Sequence, residues 1–264
     1  MRIALCFSGQ PRSLEEGFRF YKDCILDPNE SVDVFVHTWH DENLVGEKYD
    51  CTAQECRLQS YQEDSISKIV KLYNPVSLKV EKPINFLKAE SYAKSHEGWD
   101  SSCQEAEPVR ANNSFSQFYS VFQSNKLKKE REDQLDFKYD VCIRSRFDYA
   151  VSVGFDFSSF DLNKEALYVS DLVTGDNPHF NDQFALGSSE VMDKYSEVYG
   201  FCSKFFDESS QRFTVGNESI FYHNAVDKIK VIGHISSNHL FPPSDRGGNS
   251  TVHSLLRAPG QPSL

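Results

Sequence analysis

Arg2-Ile3-Ala4-Leu5-Cys6-Phe7-Ser8-Gly9-Gln10-Pro11-Arg12 and, twenty residues further on, Val32-Asp33-Val34-Phe35-Val36-His37-Thr38-Trp39 decide the fold class. Arg2 to Phe7 is a short apolar run closed by the turn-forming Ser8-Gly9-Gln10-Pro11, which reads as a buried strand. Ser13-Leu14-Glu15-Glu16 fits a capping box, and Leu14, Phe18, Tyr21 and Ile25 follow at helical spacing until Asp27-Pro28-Asn29. Val32 to Val36 is a second buried strand. A strand, helix and strand within about 35 residues make a parallel pair joined by a right-handed crossover.

The same alternation continues outward. Ile66, Ile69, Val70 and Tyr73 predict a helix stopped at Asn74-Pro75, and Val76 to Val80 a third strand. Phe115, Phe118, Tyr119 and Phe122 open a helix running to about Leu135, and Tyr139 to Ile143 predicts a fourth strand. Leu167–Val169, Phe184–Gly187 and Ile229–Ile232 read as further strands. One helix is capped by Ser189 and another covers about Glu218 to Val226. Residues 40 to 60 and 85 to 110 read as polar loops, and the chain after Leu240 as a loose tail. The expected class is α/β, a mostly parallel central sheet flanked by helices.

Composition removes several functions. The 264 residues are 39% hydrophobic and 25% charged, with 13 Gly and 10 Pro, an ordinary globular balance. The formal net charge of -11 disfavours a nucleic-acid partner, since such a surface repels a phosphate backbone. No run approaches the ~20 apolar residues of a membrane span. Seven scattered cysteines, with Cys51 and Cys56 lacking a second pair, support neither a zinc ribbon nor a disulfide framework. Together with a start that lacks signal-peptide character, this predicts a cytoplasmic protein.

In a parallel sheet, ligands sit beyond the carboxyl ends of the strands. After strand one, Gly9 permits a tight turn and Arg12 can fork onto phosphate oxygens, beside a helix N-terminus that suits an anion. This is neither a dinucleotide fingerprint nor a P-loop. After strand two, His37 and Trp39 are candidates to line a nucleoside pocket. After strand four, alternation places Arg144, Arg146 and Asp148 on one face, and so dense a cluster needs internal pairing or an outside ligand. Asp182, in Asn181-Asp182-Gln183, can accept a proton from a hydroxyl. Glu218 is adequately explained by the helix dipole. His234 and His239 are candidate metal ligands, although lone histidines are more often structural.

These blocks resemble the glycosyltransferases of GT-A-like fold found in algal viruses, phages and bacterial surface-polysaccharide clusters. Arg2 to Arg12 and Val34 to Trp39 are similar to the group's opening. Tyr139 to Asp148 is similar to its central strand, with Arg146-Phe147-Asp148 in place of the D-x-D motif. Asp182 to Ser188 resembles its acceptor-side segment. The resemblance implies one GT-A-like, Rossmann-like domain over residues 1–240, with a nucleotide-binding half (1–150), an acceptor half (151–240) and a tail (241–264). It also implies a UDP- or GDP-linked sugar donor, a glycan acceptor and Mn²⁺ or Mg²⁺, in a host's cytoplasm if the source is a virus.

Residue by residue, the resemblance puts Ser8, Gly9, Arg12 and Arg144 at the nucleotide and its phosphates, and His37 and Trp39 at the nucleoside. Asp148 matches the metal-binding acid, and His239, from its place beyond the last strand, is a candidate to complete the site. Arg146 stands where the motif has its first acid; it cannot bind metal, and it can neutralise diphosphate charge itself. Asp182 is the candidate base if transfer inverts the anomeric centre. A non-catalytic glycan- or protein-binding module that keeps the groove is the competing reading. A nucleotidyltransferase ranks last, because Ser8 to Ser13 lacks the Gly and Lys of a triphosphate loop.

Overall fold

Seven strands form one sheet in the order β3-β2-β1-β4-β6-β5-β7. They are β1 (Ile3–Gly9), β2 (Val32–Trp39), β3 (Ser77–Glu81), β4 (Val141–Ser145), β5 (Ala166–Val169), β6 (Phe184–Gly187) and β7 (Val231–His234). The computed structural model describes residues 1–49, 59–86, 107–149, 156–163, 165–170, 172–173, 178–208 and 217–235. Cys51, Cys56, His239, the expected tail and most of the expected 85–110 loop lie outside these residues.

β1 pairs in parallel with both β2 and β4, and β2 with β3. β6 runs antiparallel to β4 and to β5, and β5 pairs in parallel with β7. The expected mostly parallel sheet is therefore present, with one reversed strand near its middle. β1 sits where the strand order switches direction, and its carboxyl end opens beside that of β4.

Helices cover both faces. α1 (Leu14–Tyr21), its π-helical continuation Lys22–Leu26 and α2 (Ser65–Tyr73) pack on one side. There Leu5, Phe7, Ile69, Tyr73, Ile143 and Phe147 share a core. α3 (Glu107–Leu135), α4 (Ser189–Ser196), α5 (Val198–Glu208) and α6 (Asn217–Lys228) cover the other. Their core includes Cys6, Phe118, Cys142, Ala185, Tyr195 and Phe221. Period-two alternation sends odd residues of β1 to the first core and even ones to the second. Cys6, Cys24, Cys142 and Cys202 are buried and take no part in disulfides.

Several boundaries move. β1, β2 and β4 each run two or three residues beyond the expected ends, so Ser8, Gly9, His37, Trp39 and Arg144 lie within strands. α3 starts at Glu107, inside the expected loop. The expected helix after Ser189 is two helices, and its cap is Ser188, whose Oγ accepts from the Val191 N–H. Ser13 makes no capping hydrogen bond, because its backbone is left-handed at φ 48°. Asn74 does end α2, at φ 43°.

Candidate active site

The carboxyl end of β1 is fixed from both sides. Gly9 has φ +110°, a conformation that L side chains rarely adopt. Its N–H donates to Ser120 Oγ of α3 at 2.7 Å, and its carbonyl accepts from Thr38 Oγ1 of β2 at 2.9 Å. The next turn carries Arg12 toward β4. α1 approaches closely because residue 17 is glycine: a Cβ there would lie 1.8 Å from the Phe147 carbonyl oxygen.

β4 ends at Ser145, so alternation stops before Arg146. The chain turns, and Arg146 folds back on Asp148. Arg146 Nε donates to Asp148 Oδ1 at 2.7 Å and Nη2 to Oδ2 at 2.5 Å, while Arg12 Nε stands 3.5 Å from Oδ2. Asp148 is 1% exposed. Burial alone would raise its carboxyl, but the charges of Arg146 and Arg12 and the hydrogen bonds outweigh it and bring it down to about 2. Arg12, Arg146 and Asp148 thus converge at the tips of β1 and β4, as the sequence predicts.

Arg144 points into the α3 face. Its Nε donates to Ser8 Oγ at 3.2 Å, and its guanidinium carbon lies 5.8 Å from the Phe221 ring centroid. Nη1 and Nη2 have no hydrogen-bond partner among the described residues, although the group is buried. Burial lowers its pKa, and the neighbouring Tyr195 and Asp182 oppose that.

The reversal of β6 brings Asp182 here. Because β6 is antiparallel to β4, the residues entering β6 meet the tip of β4, where Ser145 pairs with Phe184. Asp182 is buried, accepts from Gln117 Nε2 of α3 at 2.7 Å, and interacts electrostatically with Arg144 and Arg146. Asn217 Nδ2, at the start of α6, donates to Gln117 Oε1 at 2.7 Å. Glu218, on the first turn of α6, turns its carboxylate toward the same site: burial and the Asp182 charge raise its pKa, and Arg146 opposes them.

His37 is fully buried and serves a hydrogen-bond chain. Burial lowers its pKa to about 4 despite the Glu81 carboxylate, so the ring is neutral at pH 7. Nε2 then donates to Glu81 Oε2 at 2.9 Å and Nδ1 accepts from the Ser120 hydroxyl at 2.7 Å. Trp39 stacks on Tyr119 with centroids 5.6 Å apart, and its Nε1 has no partner among the described residues. It lines a cavity of about 730 Å³ with Gln10, Tyr61, Asn85, Asn112 and Ser116, beyond the ends of β1 to β3. The arginine cluster lies outside that lining. Of the expected nucleoside pair, Trp39 borders the cavity, while His37 stands behind it.

No family model matches the sequence, and no curated protein matches it. Among solved structures, the apo form of the glycosyltransferase GlyE from Streptococcus pneumoniae TIGR4 aligns with 89% of this chain at 10% identity and TM-score 0.44. This chain spans 45% of GlyE. Mouse xyloside xylosyltransferase 1 aligns with 89% of the chain and 85% of its own length, at 10% identity and TM-score 0.43. The galactosyltransferase LgtC, in complex with donor and acceptor sugar analogues, aligns with 90% and 74%, at 12% identity and TM-score 0.43.

A divalent ion does not fit the described donor set. Both oxygens of Asp148 already accept from guanidinium groups, and no three His, Cys, Asp or Glu side chains among the described residues group to hold a metal. Gln117, Asn217 and Ser120 belong to the site, yet sequence reasoning misses them. Amides and a serine on a helix carry no motif; only the tertiary fold brings them to Asp182 and Gly9.

Proposed function

We propose that this chain is a glycosyltransferase that moves a sugar from a nucleoside diphosphate donor to an acceptor hydroxyl, in glycan or surface-polysaccharide synthesis. The observation that carries the reading is the meeting of Arg12, Arg144, Arg146, Asp148 and Asp182 where the strand order reverses. The sequence resemblance supports it. Breaking a sugar–phosphate bond leaves extra negative charge on the diphosphate, and preorganised cations aimed at that charge supply the largest catalytic contribution. The three arginines are those cations. Trp39 and the adjoining cavity offer an aromatic wall and an indole N–H to the nucleoside.

Asp182 is the acceptor-side group in this reading. In an inverting transfer it takes the acceptor hydroxyl proton as the oxygen attacks the anomeric carbon. Gln117 holds one carboxylate oxygen, which fixes the direction of the other. A panel of UDP- and GDP-linked sugars, followed for nucleoside diphosphate release with simple glycan acceptors, tests the reading. Turnover of at least one donor is expected. Glycan binding with no donor bound or turned over would favour the binding-module reading.

A further inference from the structure

We infer that this chain receives the donor's diphosphate on guanidinium groups in place of a divalent cation, and that Arg144 is the group whose donors are left for it. The inference rests on the transferase reading and deepens it.

Asp148 is the acid that the resemblance assigns to a metal, and both of its oxygens are already engaged by Arg146. Arg146 binds it through two parallel hydrogen bonds, the strongest geometry available to a carboxylate. Arg12 adds a second positive charge 3.5 Å away. A divalent ion at Asp148 would have to displace a buried guanidinium and then stand beside two positive charges. Asp148 therefore acts here as the anchor that aims Arg146 and Arg12.

Arg144 has the opposite status. It is 1% exposed, and Ser8 takes only Nε. The two Nη atoms carry four N–H donors with no acceptor among the described residues. Asp182 supplies charge at a distance without a hydrogen bond to them. A buried guanidinium in that condition is costly unless an anion joins it. Three guanidinium groups gather at this spot with Asp148, Asp182 and the nearby Glu218, in a chain whose net charge is -11. The open N–H donors of a buried cation match a ligand with several anionic oxygens. Arg144 lies on β4, between β1 and β6, within electrostatic reach of Arg146, which in turn faces Arg12, so the three form one cluster for a diphosphate.

The test is calorimetric binding of UDP and GDP to the whole chain, with EDTA or with Mn²⁺ or Mg²⁺, and with pyrophosphate in a parallel arm. We expect one nucleoside diphosphate to bind in EDTA, with less than about threefold change on adding metal. Arg144→Gln should weaken it by tens of fold, the scale of hydrogen bonds to a charged group, and Arg144→Lys by less. If Arg144→Gln does not fold, the metal arms on the native chain still decide. Binding that requires metal overturns the inference and leaves the transferase reading standing. No binding of either nucleotide under any condition overturns both. Pyrophosphate held as tightly as the nucleotides overturns the assignment of Arg144 to a nucleotide's diphosphate.

Discussion

Gly17 shows how little room surrounds the residues that aim the arginine cluster. Its missing side chain lets α1 rest on the Phe147 carbonyl, in the turn that carries Arg146 and Asp148. Gly17→Ala is expected to cost about 2 kcal/mol or more, the scale of overpacking against backbone, read as a lower urea midpoint. Gly200, in α5, has nothing within 4 Å of a built Cβ. Gly200→Ala should raise the unfolding free energy by up to about 1 kcal/mol through helix propensity alone, read as a higher urea midpoint. The pairing of Arg146 with Asp148 was half legible in the sequence. Three charges leaving a buried strand demand partners, but alternation misplaced them, because the strand ends at Ser145 and the pair forms across a turn.

At the scale of elements, a buried charge network ties α3 to β4 and α4. Lys128 and Glu132 are fully buried and interact at 3.3 Å. Lys128 also donates to Ser189 Oγ and Asp193 Oδ1, each at 2.7 Å, and the Tyr139 N–H before β4 donates to Glu132 Oε1 at 3.0 Å. Lys128→Met should cost about 1–3 kcal/mol in chemical denaturation, since it removes the buried cation shared by Glu132 and Asp193 while Lys138 and Lys129 still face them at 3.0 Å and 3.2 Å. A smaller loss when Glu132→Gln is added to it would show that the charges are coupled.

Element type and order were legible because apolar runs of five and helical faces such as Phe115, Phe118 and Phe122 have unambiguous periods. Strand ends were not. His37, Thr38, Arg144 and Ser145 are polar, so the apolar signal stops early. Yet each continues the ladder, because residues distant in sequence satisfy its side chain: Ser120 and Glu81 for His37, Gly9 for Thr38, Ser8 for Arg144 Nε and Tyr21 for Ser145. Ser13 failed as a cap for a similar reason, since the turn after Gly9 forces it into a left-handed conformation that local sequence does not announce.

For the whole molecule, two buried groups with large shifts contribute to the response to acid, beside the lowered carboxylates Glu132 and Asp193. The neutral His37 has a folded pKa of about 4, below its ordinary 6.5. An unfolded chain takes up that proton first, so its contribution is complete above pH 6.5 and erodes between 6.5 and 4, by about 3 kcal/mol. Asp148 stands at about 2 against an ordinary 3.8. Its contribution is complete above about pH 4 and is lost on the way to 2, by about 2–3 kcal/mol. Unfolding free energy measured against pH should therefore fall in two stages, and His37→Gln should flatten the upper one. A fall confined to pH below 4 would contradict the buried neutral imidazole.

The sealed thiols give the two sides of the sheet separate clocks. Cys24 sits on the π-helical continuation of α1 and faces the first core, while Cys6 and Cys142 lie on strands under α3. A small alkylating reagent can reach each sulfur only when the helix on its side of the sheet lifts. Mass spectrometry of the tagged peptides over time would then rank how often each layer opens. A ligand that clamps the tips of β1 and β4 should slow tagging at Cys6 and Cys142 more than at Cys24.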